Sequence, residues 1–251
     1  MAKFSYDLKK LPNIFSKLEK LYNKIPSTTG CMDSIKNKKC NAFCCIAQNP
    51  QLLYCEFLHA WDEILKEWEM DDVLELIRSA LSMYLYNHPI KGCIVHNRVD
   101  KKCSLHNFRP LSCRSYGITP DEEFNKRLEK VKEQNPELAP LFRPQCKFVS
   151  TENGSEVTMK DTDDWWEALV DIEKSLGVPP KNISDSHDGT YRTFHDHILL
   201  FLLPELQFEN LSHARMHGTQ IEKDTIIEKI VDIFRTTFLN LGENDSKSKN
   251  K

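Results

Sequence analysis

Cys93-Ile94-Val95-His96-Asn97-Arg98-Val99-Asp100-Lys101-Lys102-Cys103-Ser104-Leu105-His106-Asn107-Phe108-Arg109-Pro110-Leu111-Ser112-Cys113-Arg114 is the stretch that decides what kind of fold this chain forms. Its apolar residues follow neither the period of a helix nor a sustained strand alternation. Asn97, Asp100 and Pro110 punctuate it with turn signals, so it reads as loops with at most a short β-hairpin around 93–105. Cysteines recur in it at intervals of ten, so each thiol comes from a separate loop or strand end.

Outward from this stretch the pattern is helical on both sides. Residues 8–24 place Leu8, Leu11, Ile14, Phe15, Leu18, Leu21 and Tyr22 at steps of three and four, and Pro26 and Gly30 end the run. Phe57, Trp61, Ile64, Leu65 and Trp68 mark a second helix over 56–69. Asp71 or Asp72 caps a third, which stops before Pro89. Downstream, helices are expected at 121–134, at 161–176 with Asp161, Thr162 or Asp163 as cap, at 189–203 and at 220–241. The expected fold is therefore mainly α, a helical scaffold carrying cysteine-rich loops pinned by metal. All nine cysteines lie between positions 31 and 146. Residues 1–150 thus read as a cysteine-cluster domain with an N-terminal helix, 151–242 as a helical portion packed on it, and 243–251 as a disordered tail.

Composition removes several classes of function. With 34 Lys+Arg against 37 Asp+Glu the formal net charge is −3, which argues against wholesale binding to nucleic acid or an anionic membrane. The 8 glycines are scattered, so neither a dinucleotide fingerprint nor a phosphate-binding loop is present. HExxH and GxSxG are absent as well. The first ten residues lack the apolar core of a secretion signal, and the longest apolar run, Ile198 to Leu203, ends at Pro204. The expectation is a cytoplasmic protein without a membrane span, where thiols stay reduced and clustered cysteines bind metal or do chemistry.

Cys40 and Cys44, four residues apart, can converge on one metal, whereas Cys45 on a regular backbone points elsewhere, so the pair suits either a second site or a turn in which every thiolate faces inward. Cys31, Cys40, Cys44 and Cys45 form an upstream four; Cys93, Cys103, Cys113 and Cys146 form a downstream four. Two four-thiolate sites, or one site drawn from both groups with spare thiols, fit this arithmetic equally. Cys55, at a helix start, reads as a packing residue. Residues 91–115 carry six Lys/Arg against Asp100 alone, a local excess of +5 that would offset the negative charge of a thiolate-bound centre.

Cys-x3-Cys-Cys upstream, then Cys-x9-Cys-Ser-Leu-His-x2-Arg-Pro-x3-Cys-Arg-x-Tyr-Gly, resembles the YkgJ-like cysteine-cluster proteins over about residues 22–150. The specific part is Cys103 to Gly117. The upstream cluster departs from the family's CxxC in the nine-residue step from Cys31 to Cys40. The resemblance implies a zinc- or iron-chelating domain. Some members are iron–sulfur oxidoreductases, and a flagellin-lysine methylase carries a similar cluster.

Three functions follow as expectations. The first is an iron–sulfur protein with redox or modifying chemistry on a protein or peptide partner. The second is a zinc-binding structural or interaction module without catalysis, and the third, by family analogy alone, a protein-lysine methylase-like enzyme. An iron–sulfur cluster is preferred to zinc, because ligands gathered from distant loops suit a wider centre and nearby arginines offset its charge. Arg109 and Arg114 are the candidate donors around the cofactor, or else bonds to loop carbonyls. His96 and His106 sit inside the cysteine stretch as lesser ligand candidates. His187, His195 and His197 read as surface or core histidines, and Trp165-Trp166 as core.

Overall fold

The N-terminal turn of the helix at 54–67 explains how the scaffold is tied together, because two buried carboxylates converge on it. In the computed structural model, residues 8–39, 43–47, 49–86, 92–97, 102–119, 121–134, 136, 146, 148–185 and 189–248 are described. The helices are α1 (Leu11–Tyr22), α2 (Cys31–Lys36), α3 (Phe43–Ala47), α4 (Tyr54–Glu67), α5 (Met70–Tyr86) and α6 (Leu111–Arg114). They continue as α7 (Asp121–Gln134), α8 (Met159–Ser175), α9 (Phe194–Leu202), α10 (Glu205–His217) and α11 (Gln220–Ser248). The chain is mainly α, as its periodicity requires.

Glu56 lies in the first turn of α4 and reaches back, its Oε2 accepting from Leu53 N at 3.0 Å. Glu173 comes from α8, and its two oxygens accept from Tyr54 N at 3.1 Å and Cys55 N at 2.8 Å. The amide groups that a helix start leaves without intrahelical partners are thus satisfied by negative charge, where the helix dipole favours it. α5 is the central helix, burying Val73, Leu74, Leu76, Ile77, Ala80, Leu81 and Leu85, and it packs against α9, α10 and α11. α1 lies against α8 and α4.

Three two-residue antiparallel pairings complete the architecture. β3 (His96–Asn97) pairs β4 (Lys102–Cys103) with His96 opposite Cys103, which is the hairpin expected at 93–105. β1 (Thr28–Thr29) pairs β5 (Ser150–Thr151), and β2 (Gln51–Leu52) pairs β6 (Arg192–Thr193). These two join segments more than a hundred residues apart, which local alternation cannot reveal. The division anticipated at 150/151 falls inside β5, and one core cluster draws on helices from both sides of it.

Local boundaries shift for identifiable reasons. α8 is capped by Thr158, not by residues 161–163. Asp161 Oδ2 accepts from Thr158 N at 2.8 Å while Thr158 Oγ1 accepts from Asp161 N at 3.2 Å, a capping box. α10 escapes the periodicity because Pro204, a stop for α9, also serves as the N-cap of the next helix. α11 runs on to Ser248, so 243–248 is helical where a disordered tail is expected; once a helix exists, extension without proline costs little. Among the described residues no helix is long and apolar enough to cross a membrane.

Candidate metal centre

Cys31, Cys44, Cys45, Cys93, Cys103, Cys113 and Cys146 line a single cavity of about 110 Å³. They arrive on separate pieces of chain. Cys31 opens α2 directly after β1, Cys44 and Cys45 sit in α3, Cys103 ends β4 and Cys113 lies in α6. Cys93 N donates to Cys45 O at 2.7 Å, which docks the second cysteine segment onto the first. That approach needs glycine at 92, since a Cβ there would stand 2.6 Å from Ile46 O and 3.0 Å from Cys45 O. Gly117, at φ +88°, turns the chain after α6 so closely that a Cβ would meet the Cys146 Cβ at 3.0 Å. α6 itself is anchored by Glu56, whose Oε1 accepts from Leu111 N at 2.7 Å and from Tyr22 Oη at 2.8 Å.

The upstream and downstream groups therefore face one space. Cys40 lies outside the described residues. Cys55 is apart from the cavity, 0% exposed in the core and bonded through its amide to Glu173. All eight described cysteines are free thiols. Cys44 and Cys45 have their sulfurs 3.9 Å apart. No three His, Cys, Asp or Glu side chains among the described residues close around a single ion. The thiols line the walls of the space instead of meeting at a point.

The electrostatics of this cavity are those of crowded thiols with one guanidinium in the described lining. The hydrogen bond from the Cys45 thiol brings Cys44 down to about 7, with Arg109 adding to the effect. The same bond and burial raise Cys45. Burial pushes Cys93 up to about 12 and raises Cys103 and Cys113, each further by neighbouring sulfurs. Opposing this, the Val95 amide bonds the Cys93 sulfur and the Leu105 amide the Cys103 sulfur. Amide bonds of this kind favour thiolate. Without a cation most of these thiols keep their protons, and a thiophilic metal must displace them on binding. The described lining contains no carboxylate, so hard cations such as calcium and magnesium do not fit the donor set.

The two arginines separate. Arg114 is a strut: Nε donates to Arg109 O at 2.7 Å, Nη2 donates to Asn107 O, and the guanidinium lies 4.2 Å over the Tyr22 ring. Arg109 lines the cavity and, among the described residues, bonds only through Nε, donating to His106 O at 2.9 Å. Of the +5 excess in the sequence, Arg109 is the sole Lys or Arg among the described lining residues.

His106 also lines the cavity, where burial and Arg109 lower its pKa. His96 is buried and stands opposite Cys103 in the hairpin. His195 and His197 are core residues: Nδ1 of His195 meets Asn49 Nδ2 at 2.9 Å, and Nε2 of His197 meets Leu52 O at 2.9 Å. His187 lies outside the described residues. Trp165 is buried and Trp166 packs edge-on against Tyr191. Sequence reading missed the two supporting glutamates, although both left a trace. Glu56 stands three residues after Leu53 at a helix start, and Glu173 falls four after Leu169 on the apolar stripe of α8.

No family model, curated protein or solved structure matches this chain.

Proposed function

We propose that this protein holds an iron–sulfur cluster in the thiol-lined cavity and works as a redox protein. The single observation that carries the reading is the convergence of seven cysteines on one space, with a guanidinium and no carboxylate among the described lining residues. Cys44, Cys45, Cys93, Cys103 and Cys113 are close enough to influence one another's ionisation, and the four ligands of a cluster are drawn from them. At about 110 Å³ the space exceeds several-fold the roughly 10–15 Å³ that one water needs, so it has room for more than a single ion. When bound, such a group supplies one-electron transfer. The chain's own part is to hold thiolates at separate loop ends, to offer amide bonds from Val95 and Leu105, and to keep water out with Phe108, Phe194 and Val95. Phe148, on the cavity wall yet 40% exposed, gives the mouth an apolar lip for a protein or peptide partner.

One observation favours zinc as the second reading. Two thiolates on a tetrahedral zinc stand about 3.8 Å apart, which follows from a Zn–S bond near 2.3 Å. The 3.9 Å between the Cys44 and Cys45 sulfurs matches that edge. Anaerobic purification followed by iron, acid-labile sulfide and zinc analysis decides between them. The expected result is a coloured protein with iron and sulfide in stoichiometric amounts, whose visible absorbance bleaches on dithionite. A colourless protein with stoichiometric zinc would overturn the iron–sulfur reading in favour of the structural module.

A further inference from the structure

We propose that Arg109 is the positioning residue that supplies the counter-charge of the cavity and raises the reduction potential of the group held there; this rests on the iron–sulfur reading. Seven thiols and one guanidinium share the space, with no other Lys, Arg, Asp or Glu among the described lining residues. Nε of Arg109 is fixed by the His106 carbonyl, which aims the fork, and among the described residues Nη1 and Nη2 have no acceptor. Its charge is felt by Cys44, Cys103 and Cys113, which come from α3, β4 and α6, so it stands among the thiols and not beside one of them. Arg114, five residues on, has the same chemistry but is occupied by two carbonyls and the Tyr22 ring.

Four thiolates around an oxidised cubane leave a net charge of about −2, and uptake of one electron makes this more negative. A fixed positive charge stabilises the reduced form more than the oxidised one. An interaction with a charged group at a half-buried site corresponds to about a tenfold change in the reduction equilibrium, which is about 59 mV for one electron.

The test is dithionite titration of the full-length holoprotein under potentiometric control, in the wild type and in Arg109→Gln, Arg109→Lys and Arg114→Gln. Arg109→Gln is expected to keep its iron and sulfide while its midpoint moves negative by about tenfold in the equilibrium constant. Arg109→Lys, which retains charge, is expected to stay closer to wild type. Arg114→Gln, whose charge reaches Cys113 alone of the cavity thiols, is expected to melt at lower temperature with a smaller shift of the midpoint. An unshifted Arg109→Gln, or an equal shift in Arg114→Gln, overturns the proposal. If Arg109→Gln fails to load, Arg109→Lys decides: loading at a near-native potential supports it, and failure in both overturns it. Wild-type protein lacking iron and sulfide defeats the functional reading instead, a different result from a loaded but unshifted variant.

Discussion

Two buried polar regions lie side by side in this protein, and they are built on opposite terms. At the junction of α1, α4, α6 and α8, Glu56 accepts three hydrogen bonds and Glu173 accepts two from backbone amides. Each carboxylate has its donors from the protein itself. In the adjoining cavity, seven thiols face one guanidinium in the described lining, and backbone amides bond the Cys44, Cys93 and Cys103 sulfurs. Seven thiols brought to one space from separate stretches exceed what packing alone requires, and such a donor set suits a thiophilic ligand. The junction therefore holds the fold, and the cavity is where the proposed ligand would sit.

The largest effect that separates the two is loss of the cavity's ligand. Cys103→Ser is expected to abolish metal loading and lower thermal stability together, because binding energy at a thiolate site is also folding energy, about 10–16 kcal/mol for structural zinc in peptides. Metal analysis and a melt on the same sample check this, and a fully loaded Cys103→Ser would place the site elsewhere. Glu173→Ala breaks the junction instead. It leaves the Tyr54 and Cys55 amides buried without acceptors, at about 1–3 kcal/mol each, or about 4 kcal/mol in all. Urea unfolding should show that loss while the folded fraction keeps its metal content. If Glu173→Ala loses metal at wild-type stability, the two regions are not separate.

The same contrast governs what the sequence disclosed. The α-helical scaffold was legible because Ile14, Leu18 and Leu21, or Val73, Leu76, Ile77 and Ala80, repeat at helical spacing whatever surrounds them. The cysteines were legible as a set through residue type and crowding. Their meeting in one cavity was not. It depends on β1 pairing β5, on Gly92 admitting the Cys45 segment and on Glu56 anchoring α6, and each is a contact between distant stretches. Of the six Lys/Arg counted in the basic loop, Lys91, Arg98 and Lys101 lie outside the described residues, and the two arginines divide: Arg109 lines the cavity while Arg114 braces loop carbonyls, a choice only the fold makes. The short helices α2, α3 and α6 lie below the length at which periodicity becomes readable, and all three carry ligand candidates.

A pH effect of about 3 kcal/mol isolates the scaffold from the cavity. His197 is buried in α9 against the Leu52 carbonyl, and burial first of all lowers its pKa from 6.5 to about 4. A base whose folded pKa is depressed favours the fold while neutral. Its contribution is present above pH 6.5 and lost as pH falls from there through about 4, by about 3 kcal/mol. Glu56 works in the opposite sense. Burial raises it from 4.5 to about 6, so its contribution is fully present below pH 4.5 and is lost as pH rises through about 6, about 2 kcal/mol. Denaturant unfolding of wild type and His197→Gln between pH 7 and 4 should give curves whose difference narrows as the acid end is approached. Parallel curves would show that His197 titrates as an ordinary histidine.

The smallest effect concerns the one described cysteine that belongs to the junction and not to the cavity. Cys55 is 0% exposed, and its thiol is held protonated by burial, with Glu173 and Glu56 beside it. A thiol in that setting is neither a nucleophile nor a ligand, since both require thiolate. Cys55→Ala removes one sulfur from a packed interior and leaves the amide bond to Glu173 in place, so the expected cost is about 1 kcal/mol. Metal content and midpoint potential should equal those of wild type, in contrast to Cys103→Ser. A Cys55→Ala protein that loses metal at near-native stability would move the boundary between the two regions and make Cys55 part of the cavity.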